Sequence, residues 1–434
     1  MARGDTIVAL SSGGLPSGIA VIRVSGPNVV QILSSFISEV PQPRTAKFCR
    51  ICDPVSGQLL DKGLVIWFPE NGSYTGEACL ELHVHGGKAV VSAIIDCLLT
   101  FDDVRVAEPG EFTRRAFDNG KLDLTEVDGI SDLITSETEA QRKQALRQTM
   151  GDLHRLYENW RTSLIYARAM IEAEFDFSDE EDVPTDISDA GLNRLEALYG
   201  EIGSYLFDNR VGEIIRDGFK VALMGPPNAG KSSLLNALAK RDIAIVTDQA
   251  GTTRDVISAE LDIRGYKVVV FDTAGIRHTD DIVELEGIRR ASEKANESDL
   301  VLWLCDDASD GKIGYDGPVE TLLVISKDDD LKASSGSVSV RAEDGLNWLL
   351  NELEARVTSL AKASDQPLIS RKRYRQELNS AYHHIGNAIK SEHEDMDLRA
   401  EEVRLAGDCL GRILGKIDVE DLLDVIFSEF CVGK

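Results

Sequence analysis

No run of apolar residues in this chain approaches the roughly 20 needed to cross a bilayer as a helix, and its start carries no signal-peptide pattern. The sequence therefore predicts no membrane span and no export. Cysteine is scarce and unpatterned: seven residues, an odd number without a repeated spacing, fit reduced thiols in a cytoplasmic protein better than a disulfide framework. Positive charge is also short. Lys and Arg number 47 against 74 Asp and Glu, a net of −27, which excludes a general nucleic-acid binder because phosphate contact requires local positive surface. The basic run Arg371-Lys-Arg-Tyr-Arg375 reads first as a solvated helix start and second as a local anion-binding patch. Metal spacing is incomplete as well. Cys49-Arg-Ile-Cys52 is half of a zinc pattern, and His83 and His85 share a strand face, but no second cysteine pair completes four ligands, so no zinc is expected.

What the chain does hold is a nucleotide motif. Gly225-Pro-Pro-Asn-Ala-Gly-Lys-Ser232 follows the apolar run 219–224 and leads into the helix-forming run 233–240, which reads as strand, phosphate loop, helix. Glycines let backbone N–H groups close around phosphates, Lys231 reaches the β- and γ-phosphates, and the Ser232 hydroxyl can ligate Mg²⁺. After the expected strand 267–271 comes Asp272-Thr-Ala-Gly275, where Asp272 would hold Mg²⁺ through water and Gly275 would sense the γ-phosphate. Gly251-Thr-Thr-Arg-Asp255 can place Thr253 on the same ion. The strand 321–325 ends in Ser326-Lys-Asp-Asp329, a variant of N-K-x-D in which the Asp329 carboxylate accepts two donors that guanine has and adenine lacks. Order and spacing together make GTP the expected nucleotide. Two departures predict modest affinity: Ser326 replaces the usual Asn, and Val338-Ser-Val-Arg-Ala342 stands where S-A-K is usual, leaving the Ala342 N–H as the guanine contact.

Length alone suggests about three domains. Residues 1–119 read as an α/β unit with strands at 6–10, 18–24, 64–68 and 78–84 and helices at 28–37 and 88–99. From 120 to 212 the pattern is helical, with long runs through 130–173 and 190–207 around an acidic, solvated stretch at 176–189. The nucleotide region, 213–370, closes on a helix at 345–361 and has only the Gly-rich 306–318 between its strands 300–305 and 321–325, too short for the usual crossover helix. A second helical stretch fills 371–434. The simplest fold is multidomain α/β in which both helical stretches form one bundle interrupted by the P-loop domain.

The stretches Asp5-Thr-Ile-Val8, Gly18-Ile-Ala-Val-Ile-Arg-Val-Ser-Gly26, Ser73-Tyr-Thr-Gly-Glu77, Glu81-Leu-His-Val-His-Gly-Gly87, Pro109-Gly-Glu-Phe-Thr-Arg114, Asn119-Gly-Lys-Leu-Asp-Leu124 and Phe430-Cys-Val-Gly-Lys434 are those in which the chain resembles the MnmE/TrmE family of tRNA-modifying GTPases, over essentially its whole length. The resemblance implies an amino-terminal α/β domain that dimerises and binds a tetrahydrofolate derivative as one-carbon donor, a discontinuous all-α domain and an inserted Ras-like GTPase domain. Folate contacts would involve Arg23, Glu81 and Lys121, which suit the carboxylates and amino-pyrimidine edge of such a ligand; without the resemblance they read as surface charge pairs. Cys431 would take part in modifying the tRNA. A thiolate acts when its pKa is lowered, for which Lys434 has the right sign, although a lone terminal cysteine is otherwise an ordinary free thiol.

The residue after Gly275 is Ile276, which cannot orient water as a glutamine does. By the resemblance, K⁺ held by Asn228 and by backbone carbonyls of Thr247, Gln249 and Thr252 supplies charge instead, and Glu284 positions water indirectly. The full expected nucleotide and cation set is Asn228, Ala229, Gly230, Lys231, Ser232 and Ser233 in the phosphate loop; Thr247, Asp248, Gln249, Ala250, Gly251, Thr252 and Thr253 in the switch loop; then Asp272, Thr273, Ala274, Gly275, Lys327, Asp329 and Ala342. An FAD-dependent partner of the MnmG/GidA type and a carboxymethylaminomethyl product at C5 of the wobble uridine are further implied, with the partner supplying much of the RNA-binding surface. Two other readings stay open: a ribosome-assembly or signalling GTPase acting only by binding, and a folate-dependent one-carbon enzyme regulated by GTP.

Overall fold

The computed structural model describes residues 4–176, 187–207, 210–241, 243–245, 258–272, 292–305, 313–326, 337–338, 343–360, 366–391, 396–417, 420–428 and 430–433. The acidic stretch at 176–189 lies mostly outside them. Two compact units result: Met1–Ser131 with Gly411–Lys434, and Asp132–Leu410. Among the described residues no helix is long and apolar enough to cross a membrane.

In the first unit, β1 (Thr6–Leu10), β2 (Ser17–Ser25), β3 (Lys47–Cys52), β4 (Leu59–Phe68), β5 (Cys79–Gly86) and β6 (Val104–Val106) form one sheet in the order β3-β4-β5-β2-β1-β6. β1 is apolar on both faces because both are covered. Val8 joins Ile22, Leu80 and Leu82 beneath α1 (Val29–Phe36) and α2 (Lys88–Leu98), whose Ile32, Leu33, Phe36, Ile94 and Leu98 recur at helical spacing. Ile7 and Ala9 face the other way, onto Phe112 of α3 (Glu111–Asp118). α4 (Leu124–Ile134) buries Leu124 and Val127 against Leu423, Ile426 and Phe427 of the helix Glu420–Ser428 and against Phe430, so the end of the chain returns to its beginning.

In the second unit the helical run expected at 130–173 breaks twice. A capping box between Thr138 and Gln141 starts α5 (Glu139–Thr149), and the turn at Met150 and Gly151 separates it from α6 (Asp152–Asp176). α6 and α7 (Ile187–Leu206) meet the helix Lys372–Lys390 as the bundle reading requires: Tyr157, Trp160 and Tyr374 are buried with ring centroids 5.5 and 6.3 Å apart, and Tyr199 stacks on Tyr382 at 3.9 Å. Truncating Trp160 to Ala would cost about 3–5 kcal/mol.

α8 (Val211–Asp217) leads into a second sheet. Its strands are β7 (Phe219–Met224), β8 (Ser258–Ile263), β9 (Tyr266–Asp272), β10 (Leu300–Cys305), β11 (Thr321–Ser326) and β12 (Ser337–Val338), in the order β12-β11-β10-β7-β9-β8. Central β7 is parallel to β9 and β10, and these strands are nearly continuous apolar runs because helices cover both faces. One face is covered by α9 (Lys231–Ala239) and by the helix Glu343–Leu360, which buries Leu346, Leu349, Leu353 and Val357 at i, i+3 and i+4 spacing, and the other by the helical residue Ala295 with Tyr315. The Ras-like P-loop architecture expected of this region is thus present.

Candidate functional site

The phosphate loop sits where β7 ends, at the carboxyl edge of parallel strands where nucleotides bind in such sheets. Gly225, at φ +137°, passes so close to β10 that a Cβ there would lie 2.1 Å from the Leu304 carbonyl oxygen. Only glycine lets the loop close. Gly230 then caps α9, aiming its first backbone N–H groups into the loop. Lys231 is 8% exposed, and its Nζ donates to the carbonyls of Gly225 and Pro226, both at 2.8 Å. Burial pushes its pKa down, with the Asp272 charge opposing. Leu223 pairs in register with Asp272, which brings that carboxylate beside the loop. The Ser232 hydroxyl donates to Asp272 Oδ2 at 2.8 Å, so the hydroxyl and carboxylate that would share a Mg²⁺ already meet. Ala229 is buried, while Asn228, at φ +64°, and Ser233 are exposed. Ser326, at the end of β11, stands next to Gly230 and donates its hydroxyl to the Cys305 carbonyl at 3.1 Å. Thr247, Asp248, Gln249, Ala250, Gly251, Thr252, Thr253, Thr273, Ala274, Gly275, Glu284, Lys327, Asp329, Ala342 and Lys434 lie outside the described residues.

In the first unit the structure brings Arg23 and Glu81 together. They are cross-strand partners on β2 and β5, and Arg23 Nε and Nη2 donate to Glu81 Oε1 at 3.1 and 2.9 Å. The other Glu81 oxygen meets His83 Nε2 at 3.2 Å. The Arg23 guanidinium lies 5.5 Å from the Tyr74 ring and 5.7 Å from that of Phe112, and the Tyr74 hydroxyl pairs with that of Thr113 at 2.9 Å. Two aromatic faces, a guanidinium and a carboxylate can receive a flat, polar-edged heterocycle. Lys121 stands apart from this pair: its Nζ donates to the Asn71 carbonyl at 3.4 Å. His85, the other histidine weighed for zinc, pairs with Asp61 at 2.9 Å.

A buried ionic network that the sequence analysis missed lies in the same unit. Arg115, 5% exposed, reaches Glu77 at 3.0 Å, Asp5 at 2.9 Å and Glu111 at 3.1 Å, while Arg105 holds Asp5 at 2.6 Å and Glu111 at 2.5 Å. Burial raises the Glu111 pKa, but bonds from Arg105, the Glu108 N–H and Arg115 outweigh it and leave the carboxyl below its ordinary value. Glu111 and Arg115 are one helical turn apart, but Asp5 and Glu77 come from distant parts of the chain and leave no periodic trace.

The same unit fixes the carboxyl-terminal tail by its main chain. The Gly110 N–H donates to the Cys431 carbonyl at 3.5 Å, Val432 bridges to Pro109, and the Gly433 carbonyl accepts from the Ser11 hydroxyl at 2.6 Å. Ser11 directly follows β1, in which Ala9 lies opposite Arg23 of β2. The Cys431 side chain is exposed. The basic run at 371–375 starts a helix, with Lys372 exposed, but it is not an open anion patch: Arg371 binds Asp132 at 2.8 Å, and Arg375 binds Glu213 at 2.5 Å and the Leu206 carbonyl at 2.6 Å.

Comparison with known proteins agrees with this arrangement. The pattern of the GTP-binding protein TrmE N-terminus matches residues 6–121, and that of the MnmE helical domain matches residues 124–431. The chain is 49% identical over 438 residues to the tRNA modification GTPase MnmE of Rhizobium meliloti (strain 1021), covering 99% of each. It is 48% identical over 444 residues to the protein of the same name from Mesorhizobium japonicum, covering 100% of each, and 48% over 440 residues to that of Parvibaculum lavamentivorans, covering 99% of this chain and 100% of the other.

Proposed function

The chain belongs to the MnmE/TrmE family and is a GTP-hydrolysing enzyme of tRNA modification, and on that premise we propose that it couples closure of its GTPase domains to chemistry at C5 of the wobble uridine. In this reading it works as a homodimer in the cytoplasm with an FAD-dependent partner of the MnmG/GidA type and takes one carbon from a tetrahydrofolate derivative to build the carboxymethylaminomethyl group. Residues 1–119 form the dimerisation and folate domain, 120–212 and 371–434 the helical domain, and 213–370 the GTPase domain.

The residues present fit the groups this requires. Lys231 would exchange the Gly225 and Pro226 carbonyls for the β- and γ-phosphates, and Ser232 with Asp272 would hold Mg²⁺. Bound there, Mg²⁺ neutralises charge that develops between those phosphates. Asn228 is exposed on the loop, where it can join the carbonyls of Thr247, Gln249 and Thr252 around K⁺, and Glu284 would orient water in place of a glutamine. Arg23 and Glu81, framed by Tyr74 and Phe112, would hold the folate, with Lys121 reaching its glutamate end. γ-Phosphate and Mg²⁺ keep the switch loops ordered until hydrolysis releases them.

One observation carries the chemical half of this reading: the tail is held by Gly110, Pro109 and Ser11 through its backbone, next to the strand pair that carries Arg23, and leaves the Cys431 thiol exposed. That supports a role for Cys431 beside the folate. The test is mass spectrometry of wobble nucleosides in tRNA from cells lacking this chain, with add-back of the intact protein and of Cys431→Ser. The modified uridine should vanish and return only with the intact protein. Its persistence in the deletion would favour a GTPase that acts by binding alone.

A further inference from the structure

The GTPase segment joins the helical part of its unit through two linkers, α8 inbound and residues 366–371 outbound. They run against one another: a Cβ on Gly212 would sit 2.4 Å from the Ile369 carbonyl oxygen. A single carboxylate, Asp132 Oδ1, accepts from Arg216 Nε of the first at 3.0 Å and from Arg371 Nη2 of the second at 2.8 Å.

α5 spans both. Three glutamines spaced three and four apart share one of its faces. Gln141 Nε2 donates to the Arg216 carbonyl at 2.8 Å, Gln144 Nε2 donates to the Gly212 carbonyl at 3.0 Å, and Gln148 Oε1 accepts from the Ser370 hydroxyl at 3.0 Å. The start of the same helix holds a third part of the GTPase segment. The Ala140 N–H donates to the Gly265 carbonyl, in the turn between β8 and β9, at 2.9 Å, and Lys267 of β9 meets Glu137 at 2.6 Å. From there β9 runs unbroken to Asp272, the partner of Ser232 in the phosphate site. A cleft of about 560 Å³ lined by Gln144, Gln148, Leu153, Tyr266 and Leu368 separates these points. The two sides are therefore joined here by discrete hydrogen bonds, which can shift without repacking a dense core.

We propose that α5 is the coupling element between the nucleotide site and the helical part. A displacement of β9 at Asp272 moves the Gly265 turn on the start of α5, and Gln141, Gln144 and Gln148 pass that movement to both linkers at once. These are positioning residues, since none touches the nucleotide. The inference rests on the reading that GTP turnover drives tRNA modification, and its test separates the two because its first readout needs neither tRNA nor partner.

That readout is amide hydrogen exchange of the intact protein with GDP and with a non-hydrolysable GTP analogue, compared across residues 139–149, 211–217 and 366–371. Exchange in all three segments should change together with the nucleotide; exchange in α5 indifferent to the nucleotide overturns the proposal. The second arm uses Gln144→Leu, Gln148→Leu and Ser370→Ala combined. Gln144 Oε1 is buried without a hydrogen-bond partner, and Gln148→Leu with Ser370→Ala removes both sides of their bond, which limits the folding cost of also losing the donor to the Gly212 carbonyl; the melting temperature of the variant checks that it folds. GTP hydrolysis should stay within about twofold while tRNA modified per GTP hydrolysed falls about fivefold or more, the lower range of coupling between sites. An unchanged ratio would overturn the assignment even if exchange responded to the nucleotide.

Discussion

Replacing Gly433 by Ala would test the placement of the carboxyl-terminal tail most directly. Gly433 has φ +100°, and an added Cβ would lie 2.0 Å from the Leu10 carbonyl oxygen, 2.8 Å from its carbon and 3.0 Å from Ser11 Cα. These are backbone atoms of β1 and the residue after it, which β2 holds through Ile22 and the Val21 carbonyl, so the tail must yield. A side chain at such a φ costs about 1–3 kcal/mol, and leaving forfeits the Ser11 bond, worth about 1 kcal/mol. The strain equals or exceeds what holds the carbonyl, so the placed tail should fall roughly tenfold in population, at about 1.4 kcal/mol per decade. Reconstituted wobble-uridine modification should slow by about the same factor. GTP hydrolysis should not change, because the phosphate loop belongs to the other compact unit. Two assays read this: the time course of modified nucleoside, and the rate at which carboxypeptidase trims the tail. Ser11→Ala removes only the hydrogen bond and should give a smaller effect in both, about fivefold. If Gly433→Ala is trimmed and modifies tRNA at the wild-type rates, the main-chain placement of Cys431 is wrong.

Ser232→Ala removes the hydroxyl that would ligate Mg²⁺ beside Asp272 and should weaken Mg²⁺-dependent GTP binding and turnover at least tenfold, while the lost bond to the Asp272 carboxylate, worth about 1.5–3 kcal/mol, lowers the melting temperature of the free protein; a calorimetric titration with and without Mg²⁺ checks it. Hydrolysis in KCl should be faster than in NaCl at equal ionic strength, and equal rates would remove K⁺ from the mechanism. Glu111 is 2% exposed with a folded pKa below the ordinary 4.5, so its ionised form stabilises the first unit above pH 4.5 and that contribution is lost as pH falls through the lower folded value. Glu111→Gln should therefore cost roughly 3 kcal/mol at neutral pH, where Arg105 and Arg115 lose their shared partner, and flatten the acid limb of stability; urea midpoints at neutral pH and at about pH 3.5 measure both, and a parallel loss at both would refute the assignment.

Much of the fold was legible because apolar period and element type coincide. The expected strands 6–10, 219–224, 267–271 and 321–325 fall on β1, β7, β9 and β11, and the helix at 345–361 on Glu343–Leu360. The misses share a cause, which is burial of charge or exposure of apolar groups. β3 carries exposed Phe48 and Arg50 on an edge, so Cys49 and Cys52 invited a metal reading instead of a strand. α3 has only Phe112, Ala116 and Phe117 as apolar residues and buries Glu111 and Arg115, so its pattern concealed a core-facing helix. β8 alternates Ser-Ala-Glu-Leu-Asp-Ile in an antiparallel edge strand and carries less signal than the apolar parallel strands beside it. At the phosphate site the motif spacing singled out Lys231, Ser232 and Asp272, which the structure brings together, whereas the pairing of the basic run at 371–375 left no local sign because its partners, Asp132 and Glu213, lie more than 150 residues away in sequence.

The three short motifs at 5–8, 109–114 and 430–434 look independent along the chain, yet they bear on one locus. Asp5 binds Arg105 and Arg115, which fix Glu111; Glu111 takes the Glu108 N–H at 2.9 Å and so sets the turn at Pro109 and Gly110; that turn holds Cys431 and Val432, and a Cβ on Gly110 would lie 2.6 Å from the Phe427 carbonyl oxygen. The contacts nearest Cys431 are made almost wholly by backbone, while the charges that order them sit one layer below. Side chains facing solvent at 431 and 432 can therefore vary in chemistry without moving the tail, but bulk at 110 or 433, or loss of charge at 5 or 111, displaces it. The role proposed for Cys431 toward a large RNA substrate would call for this division, because a reacting group has to stay exposed while everything that positions it is held from behind.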